Sequence, residues 1–171
     1  RFHAIVRAFG IGWCFGFGQF LFGLYWISNA LLVDAPSFAW AVPLSMAALP
    51  AGLALFPAFG LAIAGAVWPS GLGRTALLAL VWVGAEWIRG HALTGFPWNL
   101  IGYVWTDLGP IAQGAALFGI YGLSLMTVLV MTVPATLVDA GGHFVRAKIL
   151  VGFCAAAMAA LWGWGSLRLA D

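Results

Sequence analysis

"IAQGAALFGIYGLSLMTVLVMTVPATL", residues Ile111 to Leu137, contains no Asp, Glu, Lys or Arg. A helix needs about 20 mostly apolar residues to cross the hydrocarbon core of a bilayer, and this stretch exceeds that. It therefore reads as a membrane-spanning helix, and lipid becomes the solvent against which the rest of the chain is read.

Working outward, four further apolar runs have the same character: Ala8 to Val33, Phe38 to Val67, Thr75 to Leu93 and Ile149 to Leu167. Composition agrees. Hydrophobic residues make up 64% of the chain and charged residues 7%, against roughly 25% charged in a soluble domain. The expected fold class is all-α: a polytopic transmembrane bundle of about five helices, one domain over residues 1–171, with an irregular or re-entrant outer-face segment between the third and fourth helices. No low-complexity stretch or internal repeat breaks it up.

The first run carries Ala8, Gly12 and Gly16 four residues apart. Small residues at that spacing form one stripe and let a neighbouring helix approach closely in lipid. Tyr25 and Trp26 at its far end suit the interfacial aromatic belt. The second run holds Pro43, Pro50 and Pro57, with Pro36 just before it, each seven apart and so on nearly one face. Pro36 can open a helix, and the inner three are expected to kink or break it. "WPSGLGR" (68–74) reads as a turn and "VDAGGHFVRAK" (138–148) as a polar loop.

Several function classes drop out. Seven basic and five acidic residues give a net charge of +2, dispersed without a patch, so no nucleic-acid partner is expected. His3, His91 and His143 have no metal-ligand spacing, and no metal or cofactor is expected. Cys14 and Cys154 lie within apolar runs with no base near them in sequence, which reads as packing rather than nucleophilic chemistry. No signal peptide is recognisable, and a start at Arg1 rather than Met reads as a fragment.

Basic residues set an expected orientation. Alternating loops place Arg1, Arg7, Arg74, Arg146 and Lys148 on one side and Arg89 and Arg168 on the other. By the positive-inside rule the N-terminus is cytoplasmic, and the 90–105 stretch and the C-terminus face outward.

That outward stretch, "GHALTGFPWNLIGYVW" (90–105), is the chemically distinctive one. Glu86 and Arg89 precede it, three apart and able to share a helix face; ionisable groups at membrane depth are functional candidates, although the favoured reading of the pair is an interfacial salt bridge that holds the helix end, with Arg89 reaching the headgroups. Gly95 and Pro97 break the helix. Backbone outside a helix must then be buried in protein or line a wet cavity. Two readings stand side by side: a re-entrant turn with Trp98 and Trp105 as belt anchors, or the floor of a lipid-accessible pocket. The candidate entrance residues are Glu86, Arg89, Gly95, Phe96, Pro97, Trp98, Asn99, Tyr103 and Gln113. Gln19 and Asn29 read as helix–helix hydrogen-bonding residues.

"FGFGQFLFGLYWISNALL", "LALFPAF", "EWIRGHALTGFPWNLIGY" and "GIYGLSLMTVLV" follow one another in that order. This ordered set resembles the membrane part of the bacterial apolipoprotein N-acyltransferases and covers about Gly16 to Val130; "EWIRG" followed by "GFPW" and "GY" is its most specific element. Asn99 departs from the pattern, since an apolar residue is expected after the Trp in many members. The resemblance implies a multi-pass protein of the bacterial inner membrane. Such an enzyme moves an acyl chain from a phospholipid to the α-amino group of a lipoprotein's N-terminal diacylglyceryl-cysteine. A periplasmic nitrilase-like domain supplies a Glu-Lys-Cys triad and a thioester intermediate. No stretch of this chain resembles that domain, so no catalytic residue is assigned here and the chain alone is expected to be inactive. Its implied partners are membrane lipids, the phospholipid donor and the lipoprotein.

A non-enzymatic membrane scaffold for a polyprenyl-phosphate mannosyltransferase-type partner is the alternative. The reading frame beyond Asp171 separates the two: a nitrilase-like domain favours the first, a glycosyltransferase or a stop codon the second. A transporter is disfavoured, because transporters place ionisable residues at the midplane and the second apolar run has none.

Overall fold

The computed structural model describes residues 1–69, 71, 73–138 and 144–170. These residues are helical with no strand among them: α1 (Phe2–Gly23), α2 (Ile27–Leu32), α3 (Ala35–Phe38), α4 (Val42–Leu53), α5 (Leu55–Val67), α6 (Gly73–His91), α7 (Gly109–Ala112), α8 (Ala115–Thr132), α9 (Ala135–Val138) and α10 (Phe144–Ala170). Short 3-10 turns occupy Ala39–Ala41 and Ile101–Trp105. Four helical stretches are long and apolar enough to cross a membrane: Phe2–Gly23, Ala35–Val67, Ala115–Val138 and Phe144–Ala170. The chain is thus an all-α transmembrane helix bundle. The 19-residue α6 is shorter than these four and carries Arg74, Glu86 and Arg89. The polar loop read at 138–148 lies outside the described residues for 139–143, as do residues 70 and 72 of the turn before α6.

The prolines divide the second apolar run as their chemistry dictates. A proline ring clashes with the carbonyl four residues back and offers no N–H, so helices restart just ahead of it. Pro43 stands in the first turn of α4, and α5 opens at Leu55, two residues before Pro57. Pro50 is accommodated inside α4.

The chain forms two compact units. The first comprises Arg1–Val67 and Gly84–Asn99. Its main contact is α1 against α5, built on the small-residue stripe. A Cβ on Gly12 would stand 2.7 Å from the Pro57 carbonyl oxygen, and one on Gly16 would stand 2.6 Å from the Pro57 ring. Only glycine admits that approach, which in lipid supplies the dispersion contacts that hold helices together. Phe20, Leu24 and Leu53 form the buried core of this unit, with Phe56 and Phe96 packed on it. Trp13 on α1 also donates its indole N–H to the Ala51 carbonyl at 3.2 Å.

The second unit comprises Trp68–Val83 and Leu100–Asp171. Its core joins Ile111, Leu123 and Leu161, with Trp105, Met158 and Trp164 around them. The helix α8 is bent near its start, where Phe118 and Gly119 leave helical geometry (Gly119 φ 70°). Cys14 is exposed on α1 rather than packed within the chain, and Cys154 on α10 is half-buried.

Candidate functional site

The last turn of α6 does not simply fray. Leu93 and Gly95 take positive φ values, 55° and 75°, and the chain folds back until the Phe96 N–H donates to the Arg89 carbonyl at 2.9 Å. Gly95 is required at this turn twice over. Its φ is in the left-handed region that costs other L-residues about 1–2 kcal/mol, and a Cβ there would stand 2.5 Å from the Gly90 carbonyl oxygen. Pro97 then keeps the following residues extended.

Arg89 holds this fold-back from below. Its side chain is 2% exposed, and Nη1 donates to the carbonyls of Phe96 at 2.8 Å and Trp98 at 2.5 Å. Its guanidinium carbon lies 4.8 Å from the centre of the Phe20 ring on α1. A buried cation is costly unless hydrogen-bonded, and so are carbonyls outside a helix in lipid. Each requirement meets the other here, through charge-assisted bonds roughly twice as strong as neutral ones. Arg89 is therefore turned onto the backbone of the segment. Glu86, one turn earlier, is also buried, at 5% exposure.

Asn99 closes the far end. The Gln19 side-chain amide donates to the Asn99 carbonyl at 3.1 Å, and the Asn99 amide donates to the Gln19 carbonyl at 3.2 Å. Asn99 has φ 58°, a conformation asparagine adopts more readily than apolar residues. Backbone geometry and reciprocal bonding together account for a polar residue where the family pattern led us to expect an apolar one. Gln19 and Phe20 belong to the site, and sequence reasoning left them out. The available signal was Gln19 itself, a polar amide within an apolar helix whose partner is loop backbone rather than another helix.

This framework leaves Pro97 and Trp98 on the outside. Trp98 is 56% exposed and meets Trp26 edge-on, with ring centres 6.1 Å apart. The structure thus gathers Glu86, Arg89, Gly95, Phe96, Pro97, Trp98 and Asn99 in the first unit. Tyr103 and Gln113 belong to the second. Tyr103 lies on the 3-10 turn, 41% exposed, and Gln113 follows α7, half-buried. That turn is fixed to α8: the Gly102 N–H donates to Ser124 Oγ at 3.1 Å, and the Trp105 indole N–H donates to Thr127 Oγ1 at 2.7 Å. The first-unit arrangement offers a held aromatic surface rather than a nucleophile and its base.

A model of the apolipoprotein N-acyltransferase N-terminal domain matches residues 2–133. Among curated proteins, the apolipoprotein N-acyltransferase of Brucella suis is 48% identical over 161 residues, which is 94% of this chain and 30% of that protein. The apolipoprotein N-acyltransferase of Rhodopseudomonas palustris is 45% identical over 158 residues, 92% of this chain and 30% of that protein. That of Agrobacterium fabrum is 44% identical over 168 residues, 98% of this chain and 31% of that protein. No solved structure matches the chain significantly. It spans just under a third of the length of these relatives. With a domain model covering most of its residues and relatives this similar, the chain belongs to the apolipoprotein N-acyltransferase family, and residues 2–133 correspond to that family's N-terminal domain.

Proposed function

We propose that this chain is the membrane domain of an enzyme that moves an acyl chain from a phospholipid to the N-terminal diacylglyceryl-cysteine of a lipoprotein. In that reaction the donor's ester bond breaks, an amide forms at the cysteine α-nitrogen, and a lysophospholipid leaves. The thiol chemistry belongs to residues outside this chain, so the chain alone carries out no transfer. The protein resides in the bacterial inner membrane with its N-terminus cytoplasmic, and the 92–100 segment faces the periplasm. There it shapes the entrance through which both lipid substrates reach the catalytic domain. Glu86 and Arg89 support that entrance, Gly95 to Asn99 form its backbone, and Trp98 meets acyl chains or headgroups.

The observation that carries this reading is the Arg89 clamp. A buried cation is committed to two carbonyls of a non-helical segment, and the result holds a large aromatic side chain outward. A plain connecting turn requires no such investment of a charge in lipid.

The test uses the full-length protein in proteoliposomes with a diacylated lipoprotein. Trp98→Ala is expected to lower N-acylation about tenfold, equivalent to about 1.4 kcal/mol of lost substrate positioning, at normal protein levels, and Trp98→Phe to restore most of it. Unchanged acylation by Trp98→Ala would leave Trp98 as an interfacial anchor. Acylation or thioester formation by this chain alone would overturn the assignment of chemistry elsewhere.

A further inference from the structure

The second unit contains a cavity of about 310 Å³ lined by Trp68, Arg74, Thr75, Leu78, Met131, Thr132, Ala135 and Thr136. None of these residues belongs to the segment described above: Arg74 stands in the first turn of α6 and Arg89 in its last. We propose that this cavity is a second, non-catalytic lipid site. It takes the phosphodiester headgroup of a membrane phospholipid whose terminal group donates hydrogen bonds, an ammonium or a hydroxyl.

Three features of the lining point to that ligand. Arg74 brings a guanidinium, whose planar geometry matches phosphate oxygens. It does so at a helix start beside Trp68, the combination found where headgroups meet hydrocarbon. The threonines supply the complementary chemistry. Thr132 donates its hydroxyl to the Val128 carbonyl at 2.7 Å, and Thr136 donates to the Val133 carbonyl at 2.6 Å. With their protons engaged, both oxygens keep lone pairs for an incoming donor. A phosphate next to the cation and a donor-bearing terminus next to these oxygens satisfy both kinds of polar lining group. Leu78, Met131 and Ala135 supply apolar wall, which suits the glycerol backbone and the first methylenes of an acyl chain. Inorganic phosphate would leave that wall unused. The volume is at the lower end of the 300–1,000 Å³ range of small-molecule sites, enough for a headgroup and not for a whole lipid.

The test is native mass spectrometry of the purified chain after reconstitution with phosphatidylcholine vesicles containing equal parts phosphatidylethanolamine and phosphatidylglycerol. The wild-type chain is expected to retain ethanolamine or glycerol phospholipid over the choline lipid by at least about fivefold. Arg74→Gln should reduce that retention about tenfold, the scale of a lost charge-assisted phosphate contact. Ala135→Phe, which fills the cavity without touching its charge, should reduce it comparably. Arg146→Gln, a basic residue outside the lining, should leave it unchanged. Helical circular dichroism and monodispersity are measured on each variant, so that a misfolded Arg74→Gln leaves Ala135→Phe to decide. Retention by folded Ala135→Phe equal to wild type overturns the site. So does equal retention of phosphatidylcholine, because its methylated terminus donates nothing, and so does displacement by millimolar inorganic phosphate, which would remove the lipid from the assignment.

Discussion

Residues 92–100 and the adjoining 3-10 turn at Ile101–Trp105 are neighbours in sequence, and both leave the α-helix inside a membrane protein. They are secured by opposite means. The first hangs on a charge: Arg89 spans two carbonyls, and the Asn99–Gln19 pair closes the end. The second hangs on neutral hydroxyls of α8, with Ser124 taking the Gly102 N–H and Thr127 taking the Trp105 indole. The first arrangement satisfies orphan acceptors and the second satisfies orphan donors. A guanidinium can serve only acceptors, whereas a hydroxyl can receive a donor while passing its own proton to its helix, as Thr127 does to the Leu123 carbonyl at 2.7 Å. The polarity of the groups left without a helical partner thus decides which side chain the sequence must supply.

The difference is open to experiment, and the largest effect falls on the charged side. Arg89→Met keeps the apolar stem and removes the clamp. It is expected to destabilise the chain by about 3–5 kcal/mol, the range for breaking a buried charged network, in a reversible unfolding titration in mixed micelles. Arg89→Lys should recover less than half of that, since an ammonium is more strongly hydrated than a guanidinium and lacks its planar stacking on the Phe20 ring. Next comes Gly95→Ala, expected to cost about 2 kcal/mol from left-handed strain together with the close Gly90 carbonyl. On the neutral side, Ser124→Ala and Thr127→Val should each cost about 1 kcal/mol, in keeping with single side-chain hydrogen bonds in membranes. A loss in Thr127→Val as large as in Arg89→Met would dissolve the distinction between the two modes. The smallest stability effect is expected from Trp98→Ala, below about 0.5 kcal/mol as for other surface positions, so any loss of acylation in that variant reports on the entrance rather than on the fold.

Much of this was legible in the residues. Uncharged apolar runs announce membrane helices because lipid leaves no other option, and the Ala8–Gly12–Gly16 spacing announces a close neighbour. That Pro57 would be that neighbour was not legible, because the stripe specifies how near a partner can come and not which one. In the site, Gly95 and Pro97 marked the break, and the Glu86–Arg89 spacing marked a charged helix end. The direction of Arg89 was hidden: spacing along α6 shows what the side chain can reach on its own helix, whereas its partners are carbonyls of a segment whose path depends on two positive-φ residues. Gln19 and Asn99 are 80 positions apart, a separation that no local pattern bridges.

The first unit is also discontinuous, and this has a consequence for biosynthesis. Ribosomes deliver the chain from its N-terminus, so Gly12 and Pro57 are both made before Arg89. The α1–α5 contact needs nothing encoded after Val67, whereas the Phe20 ring and the Gln19 amide must wait while residues of the other unit, 68–83, are synthesised. For that interval Gln19 faces lipid or makeshift partners, at the cost of an unsatisfied amide. The late arrival of 84–99 makes this segment the last piece of the unit to be delivered, and its contacts with Gln19 and Phe20 complete it.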